Sequence, residues 1–349
     1  MQSDIRLEAI KQWIRSDLGF KNFTIETASA DASFRRYFRL CLDNDDSFII
    51  MDAPPEKEDC KPFVTIARLL ESAGVHAPHI YDFNAAQGFM RLADLGSTAY
   101  LDKINSINAN ALYSDAIQAI VQMQTIEVEL PAYDEALLQF EMSLFKDWFL
   151  EKHLNIYLDD AQCAVLDKTF KYLSNAALSQ KQVFVHRDYH SRNLMIIEND
   201  TANKNPDVNN PGVNNPGVNN PGVIDFQDAV QGSACYDLVS LIKDCYIAWP
   251  RDQLLHWIDT YLEFTPLAFQ REEFIKSFDL MGLQRHIKVA GIFCRLNYRD
   301  AKSNYLNDIP LTLAYIFDVI DRYAELSEFK DLLFALGIEP DKKLLAKIQ

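Results

Sequence analysis

Hydrophobic positions recur at two different spacings along the chain, and this predicts two differently built parts. Over residues 3–18 the apolar side chains repeat at the spacing of one helix face, and Ser3 or Asp4 is available as a cap. The stretch that follows alternates between apolar and polar side chains, as strands with one buried face do. The pattern predicts an antiparallel sheet, with helices at 3–18 and 61–72 and strands at 23–27, 36–40, 47–51, 79–83 and 88–92.

Beyond residue 96 the apolar spacing becomes helical, and one group of short apolar strands interrupts the helices. We therefore predict an α+β fold of two lobes, with a small antiparallel-sheet lobe over 1–93 and a mostly helical lobe over 94–349. The predicted helices cover 97–107, 109–124, 135–153, 160–179 and most of the chain from Tyr236, and the predicted strands cover 183–185, 194–197 and 223–226.

A repetitive segment lies between the last two of these strands. Asn-Pro-Gly-Val occurs at 210–213, 215–218 and 220–223. Its dipeptides favour turns and it offers no face that could be buried, so we expect a flexible insertion at 199–222. Loop-closure entropy grows slowly with loop length, so neutral expansion of this loop would be tolerated; a functional module is the alternative.

The most specific motif follows the first of the short strands. His186-x-Asp188 precedes Asn193 at a fixed spacing, and a later strand ends in Ile-Asp-Phe with Asp225. This order matches the catalytic and metal loops of protein-kinase-like phosphotransferases. Phosphoryl transfer needs a carboxylate at the acceptor hydroxyl, which Asp188 can supply, and hard oxygen ligands for Mg²⁺, which Asn193 and Asp225 can supply. We expect the three side chains to converge on one divalent ion and one acceptor alcohol.

The alternative is that these residues are structural, because Asp and Asn also cap turns. The internal spacing, the apolar strands on both sides and a later Tyr236-Asp237-Leu238 at a helix start all agree with the catalytic interpretation. We favour that interpretation because the elements occur together and in the right order.

Composition and charge narrow the function further. The 349 residues are 48% apolar and 24% charged, which is enough for two lobes with separate cores. The net charge of −16 argues against a nucleic-acid partner, and it suits either a cationic substrate or simple solubility. The chain has no apolar run long enough for a membrane helix, no signal-peptide pattern at its start and no CxxC pair among its six cysteines. We expect a cytoplasmic protein without a membrane partner.

On these residues the chain resembles kinases of the aminoglycoside phosphotransferase family, and the resemblance covers nearly the whole chain. Within the family it is most similar to the sugar kinases of peptidoglycan recycling, which phosphorylate the anomeric hydroxyl of N-acetylmuramate and N-acetylglucosamine. The broader resemblance rests on the motif around Asp188 together with Asp225 and Asp237. The narrower one rests on segments 31–39, 51–56, 284–288 and 295–300.

The resemblance implies a role for each motif residue. Asp188 would be the catalytic base, Asn193 and Asp225 would hold Mg²⁺, and His186 and Asp237 would be structural. ATP, or alternatively GTP, would be the nucleotide. Its contacts would come from the segment that replaces a phosphate-covering loop and from the start of the second lobe, namely Ser33, Phe34, Arg35, Arg36, Asp94 and Leu95.

Two features depart from the protein-kinase pattern. The Gly-x-Gly-x-x-Gly cover loop is absent, and Met51 occupies the strand position where a lysine usually contacts the phosphates. Loss of that lysine could mean an inactive nucleotide-binding regulator. The base and the metal ligands are intact, so we favour an active enzyme in which Arg35, Arg36 or Arg39 compensates; a solvated strand edge is the alternative for these arginines.

We therefore expect an ATP-dependent kinase that transfers the γ-phosphoryl group to a sugar hydroxyl, with the anomeric hydroxyl of N-acetylmuramate or N-acetylglucosamine as first choice. An aminoglycoside kinase or another small-alcohol kinase of the same fold is the alternative. An aminoglycoside pocket calls for clustered carboxylates, whereas the tail at 341–349 carries more lysine than acid. We expect a monomer that acts on a small-molecule amino sugar. The candidate acceptor residues are Glu141, Asp147, Arg295, Asn297 and Arg299, the last as a candidate cation.

Overall fold

A computed structural model describes residues 4–30, 34–197 and 221–349. Chain contacts divide the protein into two compact units, one of Met1–Ala99 with Leu194–Asp228 and the other of Tyr100–Asn193 with Ala229–Gln349. The expected lobe boundary at residue 93 thus differs from the contact-based one, which also assigns the later strand pair to the first unit. Ser33, and the repeat insertion as far as residue 220, lie outside the described residues.

The described residues form helices and strands that follow the predicted order closely. Two shorter 3₁₀ helices cover Ser303–Asp308 and Ala324–Leu326, and a π-helix covers Phe145–His153. The strands are β1 (Phe23–Ala30), β2 (Arg36–Leu42), β3 (Ser47–Asp52), β4 (Ile80–Asn84), β5 (Phe89–Ala93), β6 (Gln182–Val185), β7 (Leu194–Met195), β8 (Gly222–Val223) and β9 (Val230–Ser233). The helices are α1 (Ile5–Ser16), α2 (Lys61–Ser72), α3 (Tyr100–Lys103), α4 (Ala109–Met123), α5 (Glu135–Leu144), α6 (Asp160–Leu178), α7 (Tyr236–Ile242), α8 (Arg251–Phe264), α9 (Arg271–Asp300), α10 (Ile309–Ile320), α11 (Ser327–Ala335) and α12 (Lys342–Ile348).

The first unit is built on a five-stranded antiparallel sheet in the order β1-β2-β3-β5-β4. α1 begins after Asp4, whose carboxylate accepts a hydrogen bond from the Leu7 N–H and so caps the helix. The apolar face of α1 packs on the sheet, and the Trp13 ring lies 5.8 Å from that of Phe89. Burial of that apolar face against the sheet stabilises this unit.

A small second sheet completes the first unit. β7 pairs antiparallel with β8, and the segment before α3 joins it through the Ile196 N–H, which donates to the Thr98 carbonyl at 2.9 Å. A Cβ at Gly222 would lie 2.9 Å from side-chain atoms of both Leu95 and Ile197, so glycine permits this close approach. The arrangement places Leu95 beside the strand that leads to Asp225.

The second unit is mostly helical around the short sheet β6–β9. Its core is one large apolar cluster that takes in α5, the π-helix, α6, α9, α10 and α11. α9 crosses α5 very closely, because a Cβ at Gly291 would lie 2.3 Å from the carbonyl carbon of Leu144. Only glycine allows the two backbones to touch in this way.

Two predicted helices differ from the structure. The helix expected over 97–107 is limited to the four residues of α3, because Ala99 pairs with Met195 of β7 and the Thr98 carbonyl accepts from the Ile196 N–H. The single helix expected over 135–153 changes at Phe145 from α-helix to π-helix, next to the Leu144–Gly291 contact. In both places contacts distant in sequence override local periodicity.

Within the part of the chain that the structure describes, no helix combines the length and the apolar character needed to cross a bilayer.

Candidate active site

The loop that follows β6 carries Asp188 and turns sharply at its start. β6 pairs with β9 in full antiparallel register, and His186 after it is completely buried. Arg187 has a positive φ of 76°, which costs a non-glycine residue energy and must be held by surrounding contacts. Asp188, which follows this turn, is half-buried.

Asp237 supplies the first of these contacts from the start of α7. Its two carboxylate oxygens accept hydrogen bonds from the backbone N–H groups of His186, at 2.7 Å, and of Arg187, at 3.1 Å. The side chain is 1% exposed, and burial raises its pKa to about 7, although both N–H groups favour the ionised form. Asp237 therefore braces the loop from a distance of about 50 residues in sequence.

Asn193 closes the far end of the same loop. Its side-chain amide donates to the Asp188 carbonyl at 3.0 Å, and its backbone N–H donates to the His190 carbonyl at 2.9 Å. Because the amide nitrogen is used in this way, the amide oxygen is the atom that would face a cation. The loop thus brings Asp188 and Asn193 of the predicted site together within the second unit.

Positive charge surrounds Asp188. Burial opposes ionisation of its carboxyl, but Lys288, together with His190, His186 and Arg187, holds its pKa below the usual range. The group is therefore an ionised carboxylate at neutral pH, as a proton acceptor for an alcohol must be.

Glu141 lies at the centre of a buried polar cluster rather than in an open pocket. It is 4% exposed, and its carboxylate accepts from Arg187 at 2.6 Å, from Lys288 at 2.9 Å and from the Tyr133 hydroxyl. Lys288 also donates to the Tyr236 hydroxyl at 3.0 Å. These partners occupy the carboxylate that we expected to face the acceptor, so Glu141 contacts Arg187 of the loop instead. The sequence around Glu141 could not predict this cluster, because its members lie on α5, α7 and α9, which are distant along the chain.

The other acceptor candidates are spread along α9 and the π-helix. Arg295 and Asn297 are half-buried, whereas Asp147 and Arg299 are exposed. The Arg299 guanidinium donates to both oxygens of Asp300, at 2.8 and 2.9 Å. Burial and the nearby Arg299 charge lower the pKa of Arg295, and the Asp300 and Glu141 carboxylates oppose that change.

In the first unit, Asp225 follows β8 in a strained backbone conformation. Its φ is +65°, and one carboxylate oxygen accepts from the Gln227 amide at 2.8 Å. The next residue, Phe226, is fully buried and its ring lies 4.9 Å from that of Phe63 on α2. Anchoring by Phe226 fixes the position of the half-buried Asp225 carboxylate.

The arginines expected to replace the missing lysine are already paired with carboxylates. Arg36 binds the fully buried Asp52 at 2.6 Å, and Arg39 binds Asp94 at 2.6 Å. Asp52 also accepts from Arg6 at 2.8 Å, so two cations neutralise it. A phosphate contact from Arg36 or Arg39 stays a prediction, and it would require an exchange of partners.

The remaining nucleotide candidates lie in the same unit. Arg35 is buried and pairs with Glu58 at 3.1 Å, and Phe34 is 59% exposed with Lys57 over its ring. Met51 has no exposed surface, in agreement with an apolar side chain where kinases usually carry a lysine.

The donor chemistry is compatible with Mg²⁺. Asn193 and Asp225 offer an amide oxygen and a carboxylate oxygen, and oxygen atoms are the ligands that Mg²⁺ prefers. Over residues 4–30, 34–197 and 221–349, no group of three or more His, Cys, Asp or Glu residues forms a candidate metal site.

Comparison with known proteins defines the class. A model of the phosphotransferase enzyme family matches residues 24–202. An N-acetylmuramate/N-acetylglucosamine kinase from Pseudomonas putida is 40% identical over 352 residues, which cover 96% of this chain and 98% of that protein. The chain therefore belongs to the phosphotransferase enzyme family.

Solved structures agree with this at the level of the fold. A choline/ethanolamine kinase family protein from Mesorhizobium loti has a TM-score of 0.61 at 11% identity, with 95% of this chain and 99% of that chain covered. Spectinomycin phosphotransferase in complex with ADP and spectinomycin has a TM-score of 0.57 at 11% identity, with coverage of 95% and 98%. The predicted α+β kinase-like fold is thus confirmed.

Proposed function

We propose that this protein is a kinase that transfers the γ-phosphoryl group of ATP to the anomeric hydroxyl of N-acetylmuramate or N-acetylglucosamine. The observation that carries the proposal is the 40% identity, over nearly the full length of both chains, to a kinase named for these two sugars. The ordered loop from His186 to Asn193 supports it, because a decayed enzyme has no need to keep Asp188 ionised.

Asp188 accepts the proton of the sugar hydroxyl as the oxygen attacks the γ-phosphorus. The bond between that phosphorus and the β,γ-bridging oxygen breaks, and ADP leaves. A carboxylate within hydrogen-bond reach both orients the alcohol and takes its proton, and orientation contributes most in this class of reaction. Asp237 and Glu141 act indirectly, since their contacts with the backbone and side chain of Arg187 hold the residue before the base.

Asn193 in the second unit and Asp225 in the first are the proposed Mg²⁺ ligands. When bound, the ion supplies charge neutralisation for the nucleotide phosphates. The chain's own contribution is to hold two oxygen ligands still: Asn193 through its bond to Asp188, and Asp225 through the anchored Phe226.

For the nucleotide, we propose that the backbone at Asp94 and Leu95 meets the base and that Phe34, Arg35 and Arg36 lie near the phosphates. Binding of ADP by a protein of the same fold supports a purine nucleotide as donor. ATP is the first choice, and GTP is the alternative to test. Ser33 belongs to the same segment but lies outside the described residues.

For the acceptor, we propose that the sugar lies against the α9 side of the second unit, at Arg295 and Asn297, with Asp147 and Arg299 as further candidates. Arg295 and Asn297 are half-buried, as ligand-lining residues often are. The protein is proposed to act as a monomer, which light scattering would test.

An acceptor panel with product NMR tests the proposal. The purified protein is incubated with MgATP and N-acetylmuramate, N-acetylglucosamine, kanamycin or choline, and the expected product is an α-1-phosphate of either sugar. Phosphorylation of kanamycin or choline in place of the sugars would overturn the proposed acceptor. Stabilisation by MgATP without any phosphorylated product would instead identify a nucleotide-binding regulator.

A further inference from the structure

Arg192 stands out among the residues of the catalytic loop. It directly precedes Asn193, so the two Cα atoms are about 3.8 Å apart, and the Asn193 amide in turn bonds to the Asp188 carbonyl. Its side chain is exposed. A cation thus projects from the loop that would hold the acceptor hydroxyl, and the proposed chemistry at Asp188 does not use it.

The Arg192 guanidinium is held by an aromatic ring. Its central carbon lies 3.6 Å from the centre of the Tyr246 ring, a stacking distance, and 5.7 Å from that of Tyr305. Stacking restrains a long side chain but leaves the N–H groups at the edge of the guanidinium plane in position to bind an anion.

One buried carboxylate fixes both partners of this stack. Asp244, which has no exposed surface, accepts from the Ser191 N–H at 3.0 Å and from the Ser191 hydroxyl with the same oxygen. Its other oxygen accepts from the Tyr246 N–H at 3.1 Å. The residue before Arg192 and the ring beneath Arg192 are therefore anchored to the same group, so the arginine is positioned before any ligand arrives.

Arg192 forms no ion pair with another of the described residues. No carboxylate of the described residues lies within 4.0 Å of its nitrogen atoms, in contrast to Arg299, which binds Asp300 with two of them. Asp308 is close enough for the Arg192 charge to act on it: burial raises the pKa of the Asp308 carboxyl, and Arg192 opposes that rise. An incoming anion would therefore compete with a charge attraction and not with a direct ion pair.

We propose that Arg192 is a specificity-determining residue that binds the carboxylate of an acidic acceptor sugar through paired N–H donors. This inference rests on the proposed function and refines it. N-acetylmuramate carries a lactyl ether with a carboxylate, whereas N-acetylglucosamine is neutral at the same position, so only the first sugar can use the contact. We therefore assign the contact with this carboxylate to Arg192 rather than to Arg299.

The test compares Arg192→Gln with the wild type on three acceptors: N-acetylmuramate, its neutral carboxamide and N-acetylglucosamine. A charge-assisted bidentate contact predicts that kcat/KM for N-acetylmuramate falls about 10- to 100-fold. The loss should arise mainly in KM, with values for both neutral sugars changed less than about twofold. Arg192→Lys should retain part of the preference, because it keeps the charge but not the paired donors.

Arg271→Gln is a matched control, because it makes the same substitution at an exposed arginine of the second unit, paired with Asp259 on α8. It should leave kcat/KM for all three acceptors at the wild-type value. Melting temperatures establish that the variants fold. Arg192→Gln should melt close to the wild type, because the side chain is exposed.

The outcomes separate this inference from the proposed function. Equal losses on all three acceptors, or no loss on any, would refute a carboxylate contact at Arg192 while leaving the kinase intact. A selective loss of N-acetylmuramate activity in Arg299→Gln but not in Arg192→Gln would assign the role to Arg299 instead. A wild-type protein that phosphorylates neither sugar would remove the proposed function, and this inference with it.

Discussion

Gly291 provides a direct test of how helix packing supports the catalytic loop. Gly291→Ala and Gly282→Ala add the same methyl group to buried positions of one helix, α9. A Cβ at Gly291 would lie 2.3 Å from the Leu144 carbonyl carbon and 2.4 Å from its oxygen. At Gly282 the nearest atoms would be 3.6 and 3.7 Å away, which is ordinary contact. The two variants therefore make the same chemical change, but only Gly291→Ala introduces a steric clash with backbone atoms.

The size of the effect follows from these distances. To reach a normal contact of 3.4 Å, α9 and α5 would have to separate by about 1 Å at Gly291, because the atoms in the way are backbone. Overpacking costs about 1–3 kcal/mol, and replacing a helical glycine by alanine contributes about 1 kcal/mol. Taking the upper part of that range, we expect Gly291→Ala to lose about 1–2 kcal/mol and Gly282→Ala to gain up to about 1 kcal/mol.

The separation of α9 from α5 should also affect the contacts that hold the catalytic loop. Lys288 lies one turn before Gly291, and Glu141 lies one turn before Leu144, so residues on these faces move together. The Lys288–Glu141 contact of 2.9 Å would lengthen by a comparable amount, which loosens the hold on Arg187 beside the base. We expect lower kcat in Gly291→Ala and unchanged kcat in Gly282→Ala.

Urea unfolding and thermal melting measure the stability difference, and steady-state kinetics measure the functional one. The two variants should differ by about 1–3 kcal/mol in stability, so at about 2–4 °C per kcal/mol they should melt roughly 2–12 °C apart. If both variants melted at the same temperature, or if Gly291→Ala were the more stable, the helices would not be in backbone contact and this reasoning would be refuted.

Three further predictions concern the polar residues of the site. Asp188→Asn should retain MgATP binding by calorimetry and lose turnover by about 10²- to 10⁴-fold or more, and a near-native rate would exclude it as the base. Asp225→Asn should raise the Mg²⁺ concentration for half-maximal rate by at least about tenfold, since even residues that only orient metal ligands contribute this much; an unchanged Mg²⁺ dependence would exclude Asp225 as a ligand. Glu141→Gln tests a pH effect: burial opposes ionisation of Glu141, but Lys288 and Arg187 hold its pKa below the usual value, so its stabilisation is present above about pH 4.5 and lost as the pH falls through the folded-state pKa. The difference in unfolding free energy between wild type and Glu141→Gln should therefore stay constant above about pH 5 and shrink as the pH falls below about 4.5, and a difference that grew toward low pH would contradict the assignment.

Much of the fold could be predicted because local patterns determine it. The helix expected over 61–72 is α2 at the same bounds, and all five predicted strands of the first sheet are present. Side-chain periodicity reports which face of an element is buried, and that depends on near neighbours in sequence. The helix expected over 97–107 failed for the opposite reason, since pairing with β7 involves residues almost 100 positions away.

For the site, the motif indicated which residues would share one loop. Asp188 and Asn193 are close in sequence, so their spacing alone predicts that a turn can bring them together, and the structure shows the bond between them. The motif could not indicate what surrounds the base. Lys288 is the largest charge contribution to the low pKa of Asp188, and it comes from α9, 100 residues later.

The sequence by itself determined which functional groups are present: a carboxylate and an amide at kinase spacing, and a second carboxylate after an apolar strand. It also determined the alternation of apolar and polar residues that forms an antiparallel sheet. What only the tertiary structure decided is which charges are neutralised and which are left for ligands. Glu141 has partners that no local pattern predicts, and Arg192 is stacked on Tyr246 without an ion-pair partner among the described carboxylates. The physical reason is that the energy of a charge depends on burial and on the nearest opposite charge, and both are set by packing between elements distant along the chain.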